Sequence, residues 1–174
     1  MDRSNRPRII EADRLCLDEF IRPGEAVVCG QTGAEPLTLT QALADQRAGY
    51  PGARVFLGAL FSRTFAPGHA DHLRFASYGA LGTAAALSRQ GLLDVLPVSY
   101  SELESLYDSG ARTADVVLLQ LARAPDGVYN LGMANDYVAA AARRARVVIA
   151  EVHPDVPWTQ DAQCPPDMRI DIVV

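Results

Sequence analysis

The chain has 174 residues, 49% of them apolar and 21% charged, with a formal net charge of −5. This balance suits one soluble domain with a full core and argues against a nucleic-acid partner bound through a broad basic face. All sixteen basic residues are Arg, which excludes a Schiff-base lysine and the lysine of a phosphate-binding P-loop.

From the start, the Arg-rich opening reads as part of a flexible tail over residues 1–10, with no signal-peptide core behind it. No apolar run nears the ~20 residues that span a bilayer, so a cytoplasmic location without a membrane partner is expected. Residues 12–21 have Leu15, Phe20 and Ile21 near one helical face and stop at Pro23-Gly24. Residues 26–30 form a short apolar run, a buried strand. Pro36 suits the first turn of the next helix, whose stripe is Leu39, Ala42 and Leu43 and whose end lies near Gly49. Strands are expected over 54–60 and 73–77, an Ala-rich helix over 81–90, and a strand-like run over 93–98. A helix over 99–109 has Ser101 and Glu104 at capping-box spacing. The clearest buried strand is 115–121, followed by an Ala-dense helix over 135–145 and a continuous apolar strand over 146–152. Alternating strands and helices, with strands apolar on both faces, predict an α/β fold: a mainly parallel sheet covered by helices on both faces. The α/β domain is placed at residues 11–152. Residues 153–174 carry Pro154, Pro157, Pro165 and Pro166 and read as extended, ending on the apolar run 170–174. That run must pair within the domain or be covered by a continuation or a partner.

The chemistry-bearing residues cluster after strands. The turn Cys29-Gly30-Gln31-Thr32-Gly33-Ala34-Glu35-Pro36 leads from a strand end into a helix start, where ligands of open α/β sheets bind and free amides attract anions. It is neither GxGxxG nor GxxxxGK[ST], and it reads equally as an anion-binding turn or a plain tight turn. Glu35 suits a general base, though complementing a helix dipole is the stronger reading. Cys29 suits a thiolate nucleophile with His72 as base, though a small buried residue at a strand end is the stronger reading. Ser62, Ser77, Tyr78, Gly79 and Asn130 also follow predicted strands and complete the candidate binding set with Gly30, Gln31, Thr32 and Gly33. Cys16, Cys29 and Cys164 form no CxxC pair, and His69 and His72 bracket Asp71 in a polar loop, so no metal is expected.

These residues resemble a known family. Val28-Cys29-Gly30 with Ala34-Glu35-Pro36 and Leu39 to Leu43 resembles the "GxxxxEP…L…AL" opening of the acetyl-CoA hydrolase/transferase family, which includes 4-hydroxybutyrate and butyryl-CoA:acetate CoA-transferases. His72-Leu73-Arg74 with Gly79 resembles its third-strand region, and Leu96-Pro97-Val98 with residues 101–110 its "YxP…S…P.L…G" segment. Residues 115–120 resemble "DVALIQ", 127–137 resemble "HGYxSLGxSVDY", and 148–159 resemble "VIAEVNPxMPxT". The order of these segments is kept over nearly the whole chain. Departures are His153 for the Asn before Pro, Val156 for Met, Trp158 ahead of Thr159, and no Gly after Thr159.

The resemblance implies a CoA-transferase-like N-terminal half, or a separate subunit, with acyl-CoA and a small carboxylic acid as substrates. In the family a glutamate of the second half becomes a glutamyl-CoA thioester. That residue is expected from a C-terminal half or second subunit and is assigned to neither Glu35 nor Glu151. Alternatives are a repurposed subunit in another acyl-CoA reaction with Cys29 or Glu35 recruited, a hydrolase built of two copies of this half, and a non-catalytic scaffold for a partner.

Overall fold

Apolar residues at consecutive positions, rather than every second one, mark strands buried on both faces. The computed structural model describes residues 6–124, 126–133 and 135–174. Among these, the strands are β1 (Arg8–Ile9), β2 (Ala26–Cys29), β3 (Arg54–Phe56), β4 (Arg74–Ser77), β5 (Leu93–Val95), β6 (Val116–Arg123), β7 (Tyr129–Asn130), β8 (Val147–Val152) and β9 (Ile172–Val173). They form one sheet in the order β1-β9-β8-β6-β2-β3-β4-β5, all parallel, with β7 added antiparallel to the end of β6. The three runs of consecutive apolar residues, β2, β6 and β8, are neighbours at its centre, in register through Val28, Val117 and Val148.

The pleat sends alternate residues into two cores. Val27, Cys29, Val55, Leu118 and Ile149 meet Leu39 and Leu43 of α1 (Leu37–Asp45) and Leu87 of α2 (Ala85–Arg89) on one face. Val28, Phe56, Val117, Val148 and Ala150 meet Leu103 and Tyr107 of α3 (Leu103–Asp108) and Val138 of α4 (Tyr137–Arg144) on the other. The fold is therefore α/β with a mainly parallel sheet covered on both faces. Four consecutive Ala residues, Ala139–Ala142, are all buried, which lets α4 lie close against its neighbours. Arg143 of α4 holds Asp108 at the end of α3 with bonds of 2.8 and 3.0 Å.

Three local expectations are corrected. Residues 12–21 form two 3-10 turns, Ala12–Arg14 and Leu17–Glu19, with extended backbone at Leu15 and Cys16 between them. This segment carries the chain past four inter-strand spacings, roughly 19 Å, from β1 to β2, and its buried residues Leu15, Leu17 and Ile21 do not keep to one helical face. The capping box is Ser99 with Glu102, not Ser101 with Glu104: the Ser99 N–H and hydroxyl both donate to Glu102 Oε2, at 2.9 and 2.8 Å. Ser99 has the extended backbone that a cap requires, whereas Ser101 already lies inside the 3-10 turn Tyr100–Glu102 that leads into α3. Strand β3 ends at Phe56 rather than running to residue 60, because Gly58 passes against the Gln31 side chain and the chain bends at Ala59.

Arg8–Ile9, within the residues read as a tail, pairs with Ile172–Val173, and β9 in turn pairs with β8. The apolar run at 170–174 is thus paired on both sides. Among the described residues no helix is long and apolar enough to cross a membrane.

Gly82 and Gly91 both have left-handed backbone, with φ of +61° and +68°, but a Cβ at Gly82 would stand 1.9 Å from the Leu60 carbonyl oxygen and one at Gly91 would meet nothing. Urea unfolding should therefore show Gly82→Ala destabilised by about 3 kcal/mol or more and Gly91→Ala by only about 1 kcal/mol. Equal losses at the two positions would contradict the close approach at Leu60.

Candidate functional site

From β2 the chain steps outward through β3, β4 and β5, then returns to β6 and steps the other way to β8 and β9. Loops leaving β2 and β6 diverge onto opposite faces, and the crevice between them is where ligands bind in open α/β sheets. Residues 30–36 border it from β2, residues 131–133, 135 and 136 from the segment after the β6–β7 hairpin.

Gln31 bridges the two sides. Its amide nitrogen donates to Asp136 Oδ2 at 2.8 Å and to the Tyr100 hydroxyl at 3.2 Å. Its carbonyl accepts from the Tyr78 hydroxyl at 2.9 Å and from the Ala59 N–H at 3.0 Å. Every donor and acceptor of this buried side chain is used, so Gln31 fixes the crevice and has no group left for a ligand. A Cβ at Gly58 would fall 2.0 Å from Gln31 Oε1, so the network needs that glycine. Thr32 follows with φ of +52°, a strained conformation for a β-branched residue, held by its N–H to the Ala59 carbonyl at 2.8 Å. Gly30 is buried against the Ala34 carbonyl, closing the turn on itself, while Gly33 is exposed beneath Met133.

Three carboxylates surround the crevice, and each already carries a structural bond. Glu151, at the end of β8, accepts the Thr38 and Leu39 N–H groups at 2.7 and 3.2 Å. The start of α1, whose sequence reads equally as an anion-binding turn or a plain tight turn, is thus occupied by an internal carboxylate. Glu35 is buried, and its Oε1 accepts the Ser62 hydroxyl at 2.5 Å while its Oε2 accepts the Ser62 N–H at 3.3 Å. Asp136 caps α4 by accepting the Val138 N–H at 2.9 Å. Burial raises the Asp136 carboxyl above its usual range, against the opposing bonds from Val138, Gln31 and Tyr100. Burial first, and the nearby Asp136 second, push the Tyr100 hydroxyl up to about 12, which keeps it protonated.

The structure brings Gln31, Thr32, Gly33, Ser62 and Tyr78 together around the crevice. Ser77 is buried beside them and turns back on Gly79, donating to its carbonyl at 2.8 Å. Asn130 holds a neighbouring loop: its amide donates to the Thr159 carbonyl at 2.9 Å, and its oxygen accepts from the Gly132 N–H at 2.8 Å. Cys29 is fully buried in the core of the α1 face, and burial pushes its thiol far up, so no thiolate forms at neutral pH. His72 precedes β4, at the amino end of the sheet, whereas Cys29 closes β2 at the carboxyl end, so the two form no nucleophile–base pair. Among the described residues, no three His, Cys, Asp or Glu side chains form a metal-sized group.

Tyr100, Asp136 and Glu151 hold the crevice together and were not among the site residues the sequence pointed to. Asp136 had a local signal, an Asp directly ahead of an Ala-rich helix. Glu151 had none, since its partners lie 112 and 113 residues away.

Because the native carboxyl of Asp136 sits above its unfolded value, its protonated form stabilises the fold. That contribution is full below about pH 4 and is lost as pH rises through the native pKa. Removing the Gln31 donor should lift the Asp136 carboxyl further. Carboxyl-carbon NMR titrations of the wild type and Gln31→Leu should show that rise, and an unchanged titration would contradict the bridge.

The N-terminal-domain profile of the acetyl-CoA hydrolase/transferase family matches residues 8–173. A 4-hydroxybutyrate coenzyme A transferase of Clostridium kluyveri is 31% identical over 137 residues, covering 76% of this chain but 32% of that protein. RipA from Yersinia pestis superposes with a TM-score of 0.81 at 21% identity, over 95% of this chain and 42% of RipA. A 4-hydroxybutyrate CoA-transferase from Porphyromonas gingivalis superposes with a TM-score of 0.65 at 24% identity, over 96% of this chain and 39% of that one. The chain spans about a third of the curated relative it matches. It belongs to the acetyl-CoA hydrolase/transferase family, of which it carries the N-terminal domain.

Proposed function

We propose that this chain is the N-terminal half, or a separate subunit, of an acyl-CoA:carboxylate CoA-transferase or acyl-CoA hydrolase. Coenzyme A, carried as acyl-CoA, and a small carboxylic acid are its substrates. The observation that carries the reading is a ring of exposed apolar side chains around the crevice. Leu37, Phe61, Leu81, Tyr100, Met133 and Trp158 all follow strands at the carboxyl end of the sheet, with Phe61 70% and Met133 54% exposed. Such a patch around a crevice marks an interaction surface, and a second half seated on it closes the site.

In this reading the second half supplies the glutamate that exchanges acyl groups through a glutamyl-CoA thioester. Thr32, Gly33, Ser62, Tyr78 and Gly79 line the acyl and carboxylate side, and Gln31, Ser77 and Asn130 hold the loops that carry them. The committed carboxylates of Glu35, Asp136 and Glu151 support a nucleophile from elsewhere. A second reading, with this chain's own Glu35 recruited to the acyl-CoA chemistry, rests on the place of its buried carboxylate beside the crevice, in the turn that leaves β2.

Native co-purification should retain a second half, either in stoichiometric complex or as one longer polypeptide, and the assembly should transfer CoA between acyl-CoA and a carboxylate. Recovery of this chain alone, with no acyl-CoA binding, would defeat the proposal in favour of a scaffold. Phe61→Asp should weaken assembly by tenfold or more while leaving the chain's own stability within about 0.5 kcal/mol. Glu35→Gln, if it abolishes turnover with assembly and melting temperature intact, decides for the second reading.

A further inference from the structure

A cleft of about 460 Å³ lies on the face of the sheet that carries α3 and α4. It runs along β2, β3 and β4 from their first residues, Ala26, Arg54 and Arg74, to Val28, Phe56 and Ala76, with its arginines at the amino-terminal ends. Its floor is apolar, built from Val28, Phe56 and Ala76, and Arg54, Arg74 and Arg112 stand around it. Parallel sheets are normally covered on both faces, so an open cleft at this place is unusual.

The charges are more unusual than the shape. Arg54 and Arg74 are direct register partners on adjacent strands, and like charges so placed repel. Arg112 lies 4.4 Å above the Phe56 ring and donates from Nε to the Tyr107 hydroxyl at 3.2 Å, which holds its guanidinium in place. Arg54 and Arg74 donate to backbone carbonyls, of Gly24 and of Ala70 and Leu73. None of the three forms an ion pair among the described residues, although the chain as a whole is acidic. Asp94 is the one carboxylate in the lining. Three guanidiniums against one carboxylate leave two surplus positive charges.

We propose that this cleft binds a phosphate monoester carried on an apolar or aromatic body, at a site separate from the switch-point crevice. A phosphomonoester brings about two negative charges, matching the surplus, and three acceptor oxygens for guanidinium donors. Inorganic phosphate would leave most of the cavity and its apolar floor empty, whereas pockets of this volume suit small organic ligands. The inference stands whether or not the chain works as half of a CoA-transferase.

The test titrates the chain with AMP as the probe, followed by calorimetry and by NMR shifts at Phe56 and Leu96. AMP should bind at least tenfold more tightly than adenosine or inorganic phosphate, and more tightly than succinate. Arg54→Gln and Arg74→Gln, both at exposed positions, should each weaken it by about tenfold with the melting temperature preserved. Absence of AMP binding would overturn the proposal. So would equal binding of succinate, which rejects the phosphate class, or of inorganic phosphate, which rejects the apolar body. AMP held instead at the crevice would be insensitive to both substitutions, and that result also overturns it.

Discussion

The handedness of parallel crossovers governs this molecule. A strand, a connection and the next parallel strand wind right-handed, so stepping outward along the sheet and stepping back put their connections on opposite faces. The outward path from β2 to β5 keeps α1 and α2 on one face, and the path from β6 to β9 keeps α4 and residues 153–171 on the other. Where the direction reverses, the β2 and β6 loops cannot cover each other. A crevice follows from topology alone, and side chains are then needed to hold its two walls at a fixed distance.

Those side chains are polar and buried, which makes their satisfaction costly to lose. Gln31 ties the outward wall to Asp136 on the returning wall, and Glu151 of β8 reaches across to cap α1. At the opposite end of the same reversal, Asp115 plays a matching part: its carboxylate accepts the Ala26 N–H at 2.8 Å and its carbonyl accepts the Arg146 N–H at 2.9 Å. The reversal is pinned above and below. The acids near the crevice are consumed in this work.

Much of this was readable in the chain. Consecutive apolar residues at β2, β6 and β8 announced central strands, and the Gly30–Pro36 turn was placed correctly at the head of α1 because Pro36 admits only a few local conformations. The 12–21 segment was misread because its buried residues, Leu15, Leu17 and Ile21, match a helix only in part, and the span it must cross is a tertiary quantity. The capping box was displaced because Ser99 and Ser101 are both followed three residues later by Glu. Only the backbone at each Ser separates the two. Gln31 stood out as a polar loop residue suited to a ligand, yet its partners Ala59, Tyr78, Tyr100 and Asp136 come from four later segments. No local pattern could reveal that its hydrogen bonds were already committed.

Gly33 and Met133 face each other at the mouth of the crevice, so close that a Cβ on residue 33 would press to 2.8 Å from the methionine methyl. Neither residue takes part in the hydrogen-bonded frame beneath. A side chain at 33 displaces only the free end of the exposed Met133 side chain, so both positions can vary without disturbing that frame. Rim shape is thereby uncoupled from fold integrity: the side chains at the mouth can change while every buried bond stays in place.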